Sequence, residues 1–398
     1  MSLLSGIKSR GGKLSEDVRT SMGMFFLGIL FLGLNQGIMN STFNNYLHDS
    51  FNISASGRGF VEFPRELPGF LMILITGLLS AFPMRRWLIL VGFFSFFGVI
   101  GLGWFSPGVS TMVLWVIVWN LADHLFMPVE SAMGLMLAKG GASGRRLGQI
   151  GGMRNFAMIG GTALVWLLMS DFVKISYRGM YIIAGISALF ASWAFSRVRL
   201  EQDKGGVNRA FVFRKQYMLF YMLNVLWGAR KQVFLTFAPW VLVSRFGTSP
   251  STMALLLMVA ATLGVFFRQA FGELVDKLGE RAVLSFDSVV LLGICLGFAL
   301  SVHVYLLYAL YILDNLMFAT RIARTTYLSR IVYEKTDIPA TLSLGISIDH
   351  AVSMTVPALG GLLWTAYGYP AVFFAASCVA VCGFFAAQFI KSARSSLG

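Results

Sequence analysis

The chain has 398 residues, 57% of them hydrophobic and only 13% charged, with a mean hydropathy of +0.72. A soluble domain carries about 25% charged residues, so this composition excludes a soluble globular protein and indicates a polytopic membrane protein. The net charge of +14 raises nucleic acid as a partner, an expectation that the placement of the Lys and Arg residues then removes.

A run of about 20 apolar residues is long enough to cross a bilayer's hydrocarbon core. A polar, basic leader over residues 1–21 precedes the first such run. That run is long and lacks a small-residue cleavage site, so it reads as a first span and not as a removable signal peptide. Polar or Gly/Pro breaks then delimit twelve spans, at 22–46, 59–82, 86–105, 110–138, 147–169, 178–196, 216–244, 250–275, 281–301, 303–333, 340–365 and 370–391. One long polar connection, 197–215, falls between the sixth and seventh. The expected organisation is a cytoplasmic leader (1–21), an N-terminal six-helix bundle (22–196), a cytoplasmic linker (197–215), a C-terminal six-helix bundle (216–391) and a cytoplasmic tail (392–398).

With the N-terminus inside, the cytoplasmic segments hold about 21 Lys and Arg residues and the opposite side about four. This bias places both termini in the cytoplasm and accounts for most of the positive charge without nucleic acid. Cys295, Cys378 and Cys382 all lie inside apolar runs, with no disulfide or zinc spacing, and read as packing residues.

The two halves repeat one another. Span 4 carries Asp123 and, seven residues on, Glu130; span 10 carries Asp314 and, seven residues on, Arg321. Seven residues return to the same helix face two turns away. Spans 1 and 7 align at Gly37 and Gly228. Duplicated six-helix units mark secondary transporters. A short charged island joins spans 8 and 9 at Gly272, Asp276, Lys277, Gly279 and Arg281, and a worn copy joins spans 2 and 3 from Gly77 to Arg86.

On these features the chain resembles the major facilitator superfamily over nearly its whole length. The island at Gly272, Asp276, Lys277, Gly279 and Arg281 matches that family's hairpin signature fully. In the earlier copy Ala81 replaces the acid and Met84 the second glycine. The resemblance implies an all-α membrane protein, twelve transmembrane helices in two pseudo-symmetric six-helix bundles. It also implies that the hairpin latches one conformation. Its acid is attracted to a helix N-terminus in the other half, with Asp276 facing the start of span 5 and Arg281 pairing with an acid such as Glu334. Two signatures of the drug/proton antiporter branch are missing: span 4 has no Arg at its middle, and span 5 keeps Gly160 and Gly161 without the proline.

A charge at the bilayer centre costs several kcal/mol unless it is paired or faces water, so each intramembrane charge needs a reason. The fold that the resemblance implies lines its cavity with spans 1, 4, 7 and 10. The substrate-binding candidates on them are Asn35, Gln36, Asn40, Asn120, Trp227, Arg230, Lys231, Asn315 and Arg321. Arg230 and Lys231 either bind an anionic group of the substrate or pair with Asp123 or Glu130 in a structural salt bridge; both readings are open. Asp123, His124, Glu130 and Asp314, with Asp349 and His350 of span 11, are the proton-coupling candidates. Arg58, Glu62 and Glu66 recur every four residues on one face of span 2. Glu62, Arg65 and Glu66 are therefore candidates for an external gate, against the alternative of a solvated helix end. Arg154 is expected to snorkel or to pair between the halves.

No phosphate-binding loop, metal-spaced His/Cys set or nucleophile elbow is present in the sequence, so no cofactor, no metal and no enzymatic activity are expected. The expected protein is a secondary transporter of the bacterial inner (plasma) membrane. It would move a small organic solute, anionic or zwitterionic, by alternating access, with protons as coupling ion. The expected partners are that solute and the lipid bilayer, and the expected state is a monomer. Efflux of amphipathic compounds is the alternative within transport. A membrane sensor or integral-membrane enzyme on the same fold is the alternative from outside it.

Overall fold

The computed structural model describes residues 2–72, 75, 82–136, 143–199, 213–332 and 337–390. The described chain is helical almost throughout: α1 (Ser2–Phe51), α2 (Ala55–Phe70), α3 (Met84–Trp104), α4 (Val109–Met136), α5 (Ser143–Leu168), α6 (Tyr177–Ser196), α7 (Met218–Phe246), α8 (Pro250–Leu278), α9 (Glu280–Leu300), α10 (Val304–Met317), α11 (Arg321–Ile331), α12 (Asp337–Tyr367) and α13 (Tyr369–Gln388). A single 3-10 turn, Phe318–Thr320, joins α10 to α11. Nine stretches among the described residues are long and apolar enough to cross a membrane. α2, α5 and α7 are not among them. The described α2 is only 16 residues long; α5 and α7 carry Arg154, and Arg230 and Lys231, so polar residues have displaced part of their apolar surface.

The helix ends follow local chemistry. Ser249 Oγ accepts the backbone N–H of Thr252 while Pro250 opens α8, a side-chain cap and a pre-set φ at one junction. Gly279 alone separates α8 from α9, at φ +82°. An L side chain rarely adopts that conformation, so the glycine permits the tight turn.

Two compact units form. The first consists of Met1–Thr42 and Leu71–Val207, the second of Phe43–Phe70 and Asn208–Gly398. The C-terminal end of α1 and all of α2 thus group with the second half of the chain, a grouping that sequence order does not suggest.

In the first unit, Phe25, Leu32, Trp87, Val91, Phe126 and Phe195 centre a core shared by α1, α3, α4, α5 and α6. Backbones approach closely where glycines meet. A Cβ on Gly37 would stand 2.3 Å from the carbonyl oxygen of Met158, and one on Gly161 would stand 2.3 Å from that of Leu34. Small residues at such crossings replace the hydrophobic drive that lipid cannot supply.

In the second unit, Phe234, Phe298 and Phe373 pack together, the last two stacked with ring centroids 4.8 Å apart. α2 lies against α12 in the same way as α1 against α5. A Cβ on Gly59 would meet the carbonyl oxygen of Pro357 at 2.1 Å, and one on Gly361 would meet that of Ala55 at 2.8 Å. Exposed Phe93, Phe97, Phe190, Phe286 and Phe385 suit contact with lipid tails.

Candidate functional site

In the first unit the polar residues of α1, α4 and α5 join into one chain. Arg154 Nη1 donates to Glu130 Oε2 at 2.9 Å, and its Nε donates to Gln36 Oε1 at 3.0 Å. Gln36 Nε2 in turn donates to Asp123 Oδ1 at 2.7 Å. Arg154 neither snorkels nor pairs between halves; its partners are in its own unit because α5 faces α1 and α4 there. Asn35 is satisfied by the carbonyl of Ala184 and the hydroxyl of Ser95. Asn120 Nδ2 and His124 Nδ1 turn back onto α4, at the carbonyls of Val116 and Asn120. Asn40 is exposed.

The second unit concentrates the cations. Adjacent residues point about 100° apart on a helix, so Arg230 and Lys231 of α7 leave in different directions. Arg230, 2% exposed, reaches α9 and α10: Nη1 donates to both oxygens of Asp287 at 3.0 and 3.2 Å, and Nη2 to Asp314 Oδ1 at 3.2 Å. Lys231 reaches α12, where its Nζ donates to Asp349 Oδ2 at 2.5 Å. Gly228 makes that approach feasible, since a Cβ there would stand 2.8 Å from Asp349 Oδ1.

Asn224, Trp227 and Lys231 share one face of α7, three and four residues apart. Arg324 of α11 docks onto this face. Its guanidinium carbon sits 4.1 Å from the Trp227 ring centroid, and Nη1 donates to Asn224 Oδ1 at 2.7 Å. Lys231 Nζ lies 5.4 Å from the same ring. Arg324 is 5% exposed, yet no carboxylate among the described residues forms an ion pair with it. Its Nε and the indole Nε1 of Trp227 are buried donors without acceptors there. Arg321, one turn before Arg324, is exposed and feels Asp349 and Arg268. Asn315 Nδ2 donates to the carbonyl of Tyr311. Lys231, Arg321 and Arg324 thus all act on the carboxylate of Asp349, with Trp227 as an aromatic floor, and Arg324 also acts on Asp287. A cavity beside this group is lined by Trp227, Arg230, Asp287 and Arg324, with apolar walls from α9 and α13.

Asp287 and Gln232 were not singled out by sequence. Asp287 did leave a signal: a lone carboxylate inside an apolar run requires a partner. Gln232 Nε2 donates to Glu62 Oε2 at 2.9 Å.

Glu62 is not at a solvated helix end. Both Glu62 and Arg58 are fully buried, and Glu62 accepts from Arg58 Nη1 at 2.5 Å and Arg65 Nη1 at 3.0 Å. Glu66 pairs with His350 of α12 at 2.9 Å, and Asn45 Nδ2 donates to the carbonyl of Thr248 at 2.7 Å. These contacts fasten residues 43–70 to α7, to the connection that follows it and to α12 within the second unit.

At the hairpin, Asp276 and Lys277 are exposed, and Lys277 makes a loose pair with Glu273 at 3.6 Å. Gly272 is half-buried. Arg281 donates to Gln388 of α13 at 2.7 and 3.1 Å, and Glu280 pairs with Arg330 at 3.0 Å. Glu334, Gly77 and Ala81 lie outside the described residues.

A family model described as Major Facilitator Superfamily matches residues 25–337, well over half the chain. The chain belongs to the Major Facilitator Superfamily. Its all-α fold is accordingly that of the superfamily, twelve membrane helices in two six-helix bundles, and its activity is secondary transport. Solved structures agree on the fold. This superfamily member resembles the nucleoside transporter NupG at 14% identity and TM-score 0.73, covering 93% of this chain and 98% of that one. It resembles a D-xylose-proton symporter at 15% identity and TM-score 0.71, covering 94% and 97%. A bacterial homologue of the iron transporter ferroportin, in an inward-facing state, gives 15% identity and TM-score 0.74, covering 93% and 99%. No curated protein sequence matches this superfamily member.

Proposed function

We propose that the chain is a carrier of a small organic anion, or of a zwitterion through its anionic group, and that the anion binds at Lys231, Arg321 and Arg324 over Trp227. The observation that carries this reading is Arg324. It is a buried guanidinium stacked on an indole, with a free N–H and no carboxylate partner among the described residues. A charge left so in a low-dielectric setting is costly unless an anion answers it. Arg230 differs, because Asp287 and Asp314 already answer it.

The carrier works by alternating access of the site to the two sides of a bacterial inner membrane, with both termini in the cytoplasm and with protons as coupling ion. It acts as a monomer and as a transporter, not an enzyme. Glu62, Arg65 and Glu66 serve as the external gate, and Gly272, Asp276, Lys277, Gly279 and Arg281 as the latch. The test is counterflow in liposomes of purified protein, using a panel of labelled mono- and dicarboxylates, organic phosphates, amino acids and, as a neutral control, sugars. At least one anionic solute is expected to exchange. Exchange of neutral sugars alone, or of nothing at any pH gradient, overturns the reading.

A further inference from the structure

The three carboxylates that face Arg230 and Lys231, buried Asp287 and Asp314 and half-buried Asp349, are not equally answered. Asp349 has Lys231. Asp287 and Asp314 share a single guanidinium, that of Arg230, which spans both. Asp314 is 1% exposed and its Oδ2 has no hydrogen-bond partner. Two carboxylates on one cation leave one negative charge over. The cation nearest to balancing it is Arg324, which lines the same cavity as Asp287 and Arg230 and interacts electrostatically with Asp287.

Among the described residues, the other titratable groups around the pair carry no further cation to it. Cys295 of α9 and Tyr311 of α10 interact with Asp314. α13 contributes Val379, Ala380 and Gly383 to the cavity, none of them titratable. Asp349 and Arg321 act on Arg324.

We infer that Asp287 and Asp314 form a proton-binding pair and that Arg324 couples this pair to the anion site. The inference rests on the anion reading of that site. Without a bound anion, the Arg324 charge is shared with Asp287 and helps keep both carboxylates ionised. An anion that engages Arg324 withdraws that help. One proton then transfers from hydronium, whose O–H bond breaks to leave water as an O–H bond forms on one of the two carboxyls, while Arg230 stays paired with the other. Anion and proton consequently cross together, the pair gaining its proton when the site fills and releasing it when the site empties.

The linkage is testable with no solute at all, because Arg324→Gln removes the same charge that an anion would engage. Infrared spectra of the full-length protein in nanodiscs report the carbonyl stretch of protonated carboxyls as a function of pH. The wild type is expected to show such a band growing as pH falls, and Asp287→Asn and Asp314→Asn are each expected to lose it. Arg324→Gln should move its midpoint up by about one pH unit or more, since a nearby cation favours the ionised carboxylate. Arg324→Lys, which keeps the charge, should titrate with the wild type.

The inference is overturned if both Asn variants keep the wild-type band, or if Arg324→Gln titrates at the wild-type midpoint. It is also overturned if Arg324→Lys shifts as far as Arg324→Gln, which would mark an effect of shape. Should one Asn variant fail to fold, the other decides. A failure of every anion to exchange in liposomes would strike the anion reading alone and leave these titrations standing.

Discussion

Arg324→Ala is expected to weaken binding of the transported anion about 30- to 150-fold, the loss of about 2–3 kcal/mol of charge-assisted hydrogen bonding and aromatic contact. Its thermal stability should stay near that of the wild type, because no carboxylate among the described residues depends on Arg324 for an ion pair. Arg230→Ala should behave the other way round. It strands Asp287 and Asp314, both buried, and breaking a buried pair from one side destabilises by about 3–5 kcal/mol. Paired melting curves and binding isotherms on the two variants separate the roles. If Arg324→Ala binds the anion as the wild type does, or if it melts as early as Arg230→Ala, the guanidinium is a structural element and the anion site lies elsewhere.

Glu62→Gln carries the second large effect. Glu62 is fully buried and is the acceptor on which Arg58, Arg65 and Gln232 converge. Neutralising it leaves Arg58, also fully buried, without an anion. A loss of about 3–5 kcal/mol is expected, concentrated where residues 43–70 are fastened to α7 and α12. Protease nicking between α1 and α2, around the exposed Asn52, should accelerate together with the drop in melting temperature. The double variant Arg58→Leu with Glu62→Leu should recover most of the stability, since an apolar pair can replace a buried ion pair at little cost. A Glu62→Gln protein that melts and digests like the wild type would show that the ion cluster does not hold this segment.

The fold was largely legible in the sequence because hydropathy and charge bias are local, additive signals. Runs of apolar residues announced the spans, and the Gly272 to Arg281 motif announced the family. The pairings were less legible because they join helices far apart in the chain. Arg230 and Lys231 stood out as costly charges, but nothing local distinguished the one satisfied by α9 and α10 from the one facing α12. Asp287, 57 residues from Arg230, sat in a run that reads as a plain span. Glu62 and Gln232, 170 residues apart, show why the grouping of residues 43–70 with the second half escaped notice. Sequence order places that segment in the first repeat, and only tertiary packing of Gly59 against α12 reassigns it. Arg324 falls within the span at 303–333, but nothing local to it reports its stacking on Trp227, which lies 97 residues earlier in the chain.

The gathering of Lys231, Arg321 and Arg324 around Asp349 also bears on how the carrier returns. A cluster with surplus positive charge has a high self-energy in a low-dielectric surrounding, and a bound anion lowers it. On the proposed reading the anion enters with one proton, so the loaded and the empty carrier bear the same net charge; what differs is that in the empty carrier the buried guanidinium of Arg324 crosses with no anion against it. On that reading, exchange of one loaded site for another is expected to run faster than the return of the empty carrier.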